Sequence, residues 1–160
     1  MSDVTSNNRI AVKIRPMAES DLKEIARLEK EIFSDPWPMR SFAEILADDQ
    51  WESLVAEADG MTVGYACYMI VLNESHLANI ASVPAYRRKS VAKQLLERIL
   101  DTVKDRGCDL ILLEVRPSNA EAIAFYEKYG FTMLYRRPNY YRRPAEDALV
   151  MVRYLDTDRE

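Results

Sequence analysis

Histidine, cysteine and glycine are scarce in this chain of 160 residues, which has one, two and four of them. With a single histidine, a transition-metal centre would have to be built almost wholly from carboxylates, and no suitable cluster stands in the sequence; no metal is expected. Cys67, in an apolar run, and Cys108, beside Gly107, match neither a disulfide framework nor a zinc spacing. Positive charge is not in excess: 22 Lys+Arg against 26 Asp+Glu leave a net charge of −4. That balance argues against a protein whose main task is to coat nucleic acid or an anionic membrane. No stretch approaches the ~18 uninterrupted apolar residues of a membrane span. Residues 1–8 also lack the basic-then-apolar pattern of a signal peptide, so a cytoplasmic protein is expected. There is no low-complexity tract and no internal repeat. What remains is 48% apolar and 30% charged, enough to bury one core.

Periodicity divides that core into elements. Residues 1–8 read as a disordered tail, 9–155 as one domain and 156–160 as a short charged end. Ile10, Val12 and Ile14 alternate with polar or small residues, which predicts a strand over 9–15. Ser20 can cap a helix whose apolar face is Leu22, Ile25, Leu28 and Ile32. After the break at Pro36-Trp37-Pro38, Met39, Phe42, Ile45 and Leu46 predict a second, shorter helix. Three β-prone runs, 52–57, 61–72 and 76–83, then suggest an antiparallel meander. Val91, Leu95, Ile99 and Val103 recur every four residues until Gly107, a helix with its stop. Leu110 to Leu113 reads as a strand covered on both faces. Ser118 and Glu121 form a capping box for a last helix closed by Gly130, and 131–135 with 148–155 suggest a final hairpin joined by a long loop, 136–146. This order describes a mixed α/β sheet with helices on both faces.

Two stretches carry chemistry. The strand ending near Val83 runs through Pro84-Ala85-Tyr86 into Arg87-Arg88-Lys89-Ser90-Val91-Ala92-Lys93 at the start of the long helix. A basic loop before a helix N-terminus offers unpaired N–H groups and the positive end of the helix dipole, which suits a phosphate; a solvated basic turn is the plainer reading. In the second, Glu114 follows four apolar residues, where a carboxylate is costly unless paired or used, and partial burial would suit it as a general base. Pairing with Arg116 on the same strand face is the alternative. Tyr126 reads, on its own, as core filling.

These stretches resemble the GCN5-related N-acetyltransferases (GNAT). The segment from Asn79 to Ala92 is similar to their coenzyme A loop, Gln/Arg-x-x-Gly-x-Gly/Ala: Arg87 and Ala92 fit, while Ser90 stands where glycine is usual and Arg88 replaces a second glycine. The run from Leu113 to Phe131 is similar to the bacterial ribosomal-protein-alanine N-acetyltransferases within that superfamily. So are Phe33-Ser34-Asp35-Pro36-Trp37, Asn139-Tyr140-Tyr141, Glu146-Asp147-Ala148 and Met151. The resemblance covers about residues 12–151. It implies the GNAT fold, a mixed and mostly antiparallel seven-stranded sheet, and direct transfer of acetyl from acetyl-coenzyme A to the N-terminal α-amino group of a protein, here the alanine of a small-subunit ribosomal protein. It further implies Glu114 as general base, acting through water, and Tyr126 as the acid that protonates the leaving thiolate. Coenzyme contacts would come from Ile80, Ala81 and Ser82, from Arg87 to Lys93, and from Asn119. Trp37, Asn139, Tyr140 and Tyr141 would line the acceptor cleft.

Three readings stay open. The second keeps the chemistry but broadens the acceptor to other N-termini or a small amine. The third is a non-catalytic module that has lost tight coenzyme binding, suggested by Ser90 and Arg88. His76, at a strand start, reads as a surface or packing residue, and Trp51 as core or cleft wall. Arg136, Arg137, Arg142 and Arg143 read as a solvated loop or as contacts to ribosomal RNA or acidic protein patches.

Overall fold

The computed structural model describes residues 9–155; the expected tails, 1–8 and 156–160, lie outside the described residues. The elements are β1 (Lys13–Pro16), α1 (Leu22–Ile32), α2 (Met39–Leu46), β2 (Trp51–Ala58), β3 (Met61–Val71), β4 (Glu74–Ser82), α3 (Val91–Asp105), β5 (Leu110–Val115), α4 (Ala120–Lys128), β6 (Thr132–Arg142) and β7 (Ala145–Tyr154). The strands form one seven-stranded sheet in the order β1-β2-β3-β4-β5-β7-β6. Only β4 and β5 pair in parallel, and the crossover between them is α3. The mixed, mostly antiparallel sheet is the one the sequence implied.

Period-two alternation sorts the strand residues into two cores. Leu54, Ala56, Ala66 and Tyr68 face α3 and α4, meeting Leu95, Leu96 and Ile99. Val55, Tyr65 and Cys67, one step along the same strands, face the other way against Ile25, Leu28 and Phe42 of α1 and α2. Helices therefore cover both faces. Gly107 and Gly130 stop α3 and α4 as expected. Both have left-handed φ (77° and 84°), and the amides of Cys108 and Phe131 reach back to the carbonyls of Val103 and Tyr126.

Four local expectations change. The first strand begins at Lys13, because residues 10 and 12 are held by α3 and the loop before it instead. The Ile10 amide donates to the Lys89 carbonyl, and the Gln94 side chain accepts from the Val12 amide and donates to the Ile10 carbonyl. Ser20 does not cap α1; residues 19–21 form a 3₁₀ turn in which Asp21 accepts from the Ala18 amide at 2.7 Å and pairs with Arg15. α4 is capped by Asn119, whose Oδ1 accepts from the Ala122 amide, while Ser118 turns outward to Glu146. The expected loop 136–146 is strand over most of its length, with β6 running to Arg142 and β7 starting at Ala145. Bulges between Met133 and Tyr135 and between Arg137 and Tyr141 break the alternation that would have marked it.

The parallel pair positions the site. β4 and β5 are in register only from Glu74–Leu110 to Leu77–Leu113. Beyond that point the two strands run on, to Ser82 and to Val115, without pairing. On its other side β4 stays paired with β3, through a bulge that leaves Ala78 without a register partner. A bulge raises local twist, and here it coincides with the place where β4 leaves β5. The opening exposes one backbone edge of β4 and the end of β5.

Candidate active site

Two cavities meet at this opening. The larger, about 1010 Å³, lies over the start of α3 and the side of α4. The other, about 590 Å³, lies between the α1–α2 connection and the tip of the β6–β7 hairpin. Phe33, Ile80, Asn119, Ala122 and Tyr126 border both, so a molecule in one would touch a molecule in the other across these side chains.

Of the residues assigned to a coenzyme, Ile80, Ala81, Ser82, Arg87, Arg88, Ser90, Val91, Ala92, Lys93 and Asn119 line the larger cavity. Lys89 does not: its ammonium sits 5.5 Å from the centre of the Tyr86 ring and its carbonyl holds Ile10. The first turn of α3 leaves its amides pointing off the helix end, and Ser90 makes no side-chain cap to them. Ser90 and Arg88, the two residues in place of glycines, both have left-handed φ, 67° and 63°. The backbone path that glycine would take is kept by residues that carry a Cβ, at a cost of about 1–2 kcal/mol each. The Ser82 hydroxyl, buried in the wall, has no hydrogen-bond partner among the described residues. An orphaned hydroxyl, an unpaired strand edge and a helix N-terminus with Arg87, Arg88 and Lys93 fit a ligand that is amide-like at one end and phosphorylated at the other.

The smaller cavity holds Glu114, Trp37, Tyr140 and Tyr141, while Asn139 lies outside it, at a bulge where its amide donates to Asp147. Glu114 does not pair with Arg116. Its Oε2 lies 2.5 Å from His76 Nε2, and its Oε1 faces Arg137 at 3.8 Å. Arg116 turns instead to Glu146 and to the carbonyls of Arg143 and Pro144, and its guanidinium lies 4.1 Å from the centre of the Tyr141 ring. Glu146 also accepts from the Ser118 amide and hydroxyl, and the Ser34 hydroxyl donates to the Arg143 carbonyl. These bonds fasten the hairpin tip over the end of β5 and tie it to the opposite wall. The four arginines at 136–143 thus belong to strand and turn, not to a free loop.

That opposite wall is built on Glu29, a carboxylate only 1% exposed. It accepts from the Tyr65 hydroxyl (2.6 Å), the Asn79 amide group (3.0 Å) and the Trp37 backbone amide (3.0 Å). Burial and the Glu29 bond hold Tyr65 far above the usual tyrosine range. The network fixes Trp37 at the break between α1 and α2. Sequence reading passed over Glu29 because it falls in a charged run, Glu29-Lys30-Glu31; its place on the apolar stripe with Leu22 and Ile25 was the available signal. Tyr126 packs edge-on against Phe125 and Phe131. Burial, with a smaller contribution from Tyr141, raises its phenol well above the usual value of 10, so it stays protonated and able to donate.

A carboxylate on one side of a split sheet and a protonated phenol where two cavities join is an arrangement for group transfer between two bound molecules. The model of the acetyltransferase (GNAT) family matches residues 22–131. The chain belongs to that family. It is 34% identical over 140 residues to the ribosomal protein bS18-alanine N-acetyltransferase of Escherichia coli (strain K12), covering 86% of this chain and 94% of the relative. The enzyme of the same name from Salmonella typhimurium is 34% identical over 137 residues, covering 84% and 92%. Among solved structures, the ribosomal-protein-S18-alanine N-acetyltransferase from Escherichia coli superposes with a TM-score of 0.85 at 32% identity, over 92% of this chain and 96% of that one. Within this GNAT fold both cavities are bordered by residues from the stretch where β4 parts from β5. No helix among the described residues is long and apolar enough to cross a membrane.

Proposed function

We propose that the domain spanning residues 9–155 transfers acetyl from acetyl-coenzyme A to the α-amino group of an N-terminal alanine, with a small-subunit ribosomal protein of the bS18 kind as acceptor, in the cytoplasm. The observation that carries this reading is the junction of the two cavities at Tyr126, with Glu114 on the acceptor side and the basic start of α3 on the other. Acetyl-coenzyme A bound there would supply an activated thioester carbonyl. The α3 amides with Arg87, Arg88 and Lys93 hold its phosphates, and the free edge of Ile80 to Ser82 pairs with the pantetheine arm as an added strand does. A backbone N–H of that edge polarises the thioester carbonyl.

Glu114 takes the proton of the α-ammonium, directly or through one water. An α-amine near ~8 needs only a modest base at neutral pH. The freed amine attacks across the junction, and the Tyr126 hydroxyl gives its proton to the departing thiolate. Trp37, held by Glu29, and the Tyr140–Tyr141 pair wall the cleft in which the peptide end lies. The test is a set of peptides differing only in their first residue, incubated with acetyl-coenzyme A. Acetylation concentrated on the alanine peptide supports the reading; equal rates for all first residues point to broader specificity, and transfer to small amines alone overturns the protein acceptor.

A further inference from the structure

We propose that His76 is a positioning residue for the acetyl transfer, holding the carboxylate of Glu114 in the orientation in which it serves as the base. The inference rests on Glu114 serving as the base in the proposed function. His76 lies on β4 opposite Leu112 of β5, one rung before the pairing ends at Leu77–Leu113, and Glu114 is two residues further along the same face of β5, so the two side chains are diagonal neighbours where the strands part. The imidazole Nε2 engages Oε2 of the carboxylate at 2.5 Å and leaves Oε1 for the substrate, with Arg137 the nearest cation at 3.8 Å. Glu114 is 13% exposed and His76 31%, and both line the smaller cavity.

This is the only histidine in the sequence, and its rigid ring sets the direction of the carboxylate it bonds. A donor N–H at Nε2 orients Glu114 without taking the proton that Glu114 must accept. Other groups bear on the same field. Arg137, Tyr140 and Tyr141 face it from β6, Arg116 from the end of β5, Arg142 from the hairpin tip, and Glu29 and Asp35 from α1 and the connection after it. A change at position 76 alone leaves all of them in place.

The experiment is kcat and KM for acetylation of an alanine-initiated peptide by wild type, His76→Gln, His76→Ala and Glu114→Gln, with folding checked by thermal denaturation. His76→Ala should lower kcat about tenfold with the KM for acetyl-coenzyme A unchanged. His76→Gln keeps an N–H donor at the Nε2 position and should recover most of the kcat that His76→Ala loses. A His76→Ala protein with wild-type kcat, or a His76→Gln protein as slow as His76→Ala, overturns the role of His76. If Glu114→Gln is slow in the same series, the transfer reading stands without it; if Glu114→Gln matches wild type, the reading beneath the inference fails with it.

Discussion

Ser90 and Arg88 line the larger cavity, the proposed coenzyme site, and put its backbone under single-residue control. Both keep the left-handed turn that glycine makes without strain, and Ser90 gives nothing back as a helix cap. Ser90→Gly should therefore raise stability to denaturant by roughly 0.5–1 kcal/mol, relief of strain exceeding the added freedom of the unfolded chain, and should tighten acetyl-coenzyme A binding in calorimetry. A less stable variant would show that the Ser90 side chain holds the turn. Tyr126 offers a second residue-scale check. Because burial raises its phenol above 10, the wild-type enzyme should keep its activity to at least that pH before a basic limb begins. Tyr126→Phe should cut kcat by at least tenfold with coenzyme affinity little altered, and full activity in that variant would remove the acid role. Glu114 and Tyr126, which the structure brings to the same cavity, stood out in the sequence through resemblance to a family pattern. His76 did not: its partner lies 38 residues away across a helical crossover, and only the parallel register of β4 on β5 brings them together.

At the scale of elements, the close approach of α3 to the sheet depends on Gly64 of β3. A Cβ there would lie 2.6 Å from Val91 Cγ1 and 2.7 Å from the Ala81 carbonyl oxygen, and Ala81 is held in the β ladder and cannot swing away. Gly64→Ala should cost about 1–3 kcal/mol and weaken acetyl-coenzyme A binding, because Ala81 and Val91 both line the larger cavity. An unchanged denaturation midpoint with unchanged binding would mean the layers slide more freely than this packing allows. Helical elements were read well from sequence, since Val91, Leu95, Ile99 and Val103 mark one face without ambiguity. The β6–β7 hairpin was read at its base but not over its full length, because strand residues 136–142 are exposed apart from half-buried Tyr141 and carry no buried alternation, and two bulges shift their register. Caps were misassigned where a better partner existed in three dimensions: Ser118 goes to Glu146, leaving Asn119 to cap α4.

For the whole molecule, the sheet works as a wedge whose two halves meet along the four paired rungs of β4 and β5 and part beyond them. Helices on both faces hold the halves at that angle, and the two cavities are what the parting leaves. The fold class followed from the order of periodic segments, but the splay itself has no signature in hydropathy. The central claim, that this opening carries acetyl from coenzyme to an N-terminal amine with Glu114 as base, is tested most directly by single-turnover transfer from acetyl-coenzyme A to an alanine-initiated peptide, with the acetylated atom located by fragmentation. Wild type should place the acetyl group on the α-amine, and Glu114→Gln should do so about a hundredfold more slowly with coenzyme binding intact. Acetyl on a lysine side chain, or equal rates in the two proteins, would contradict the account.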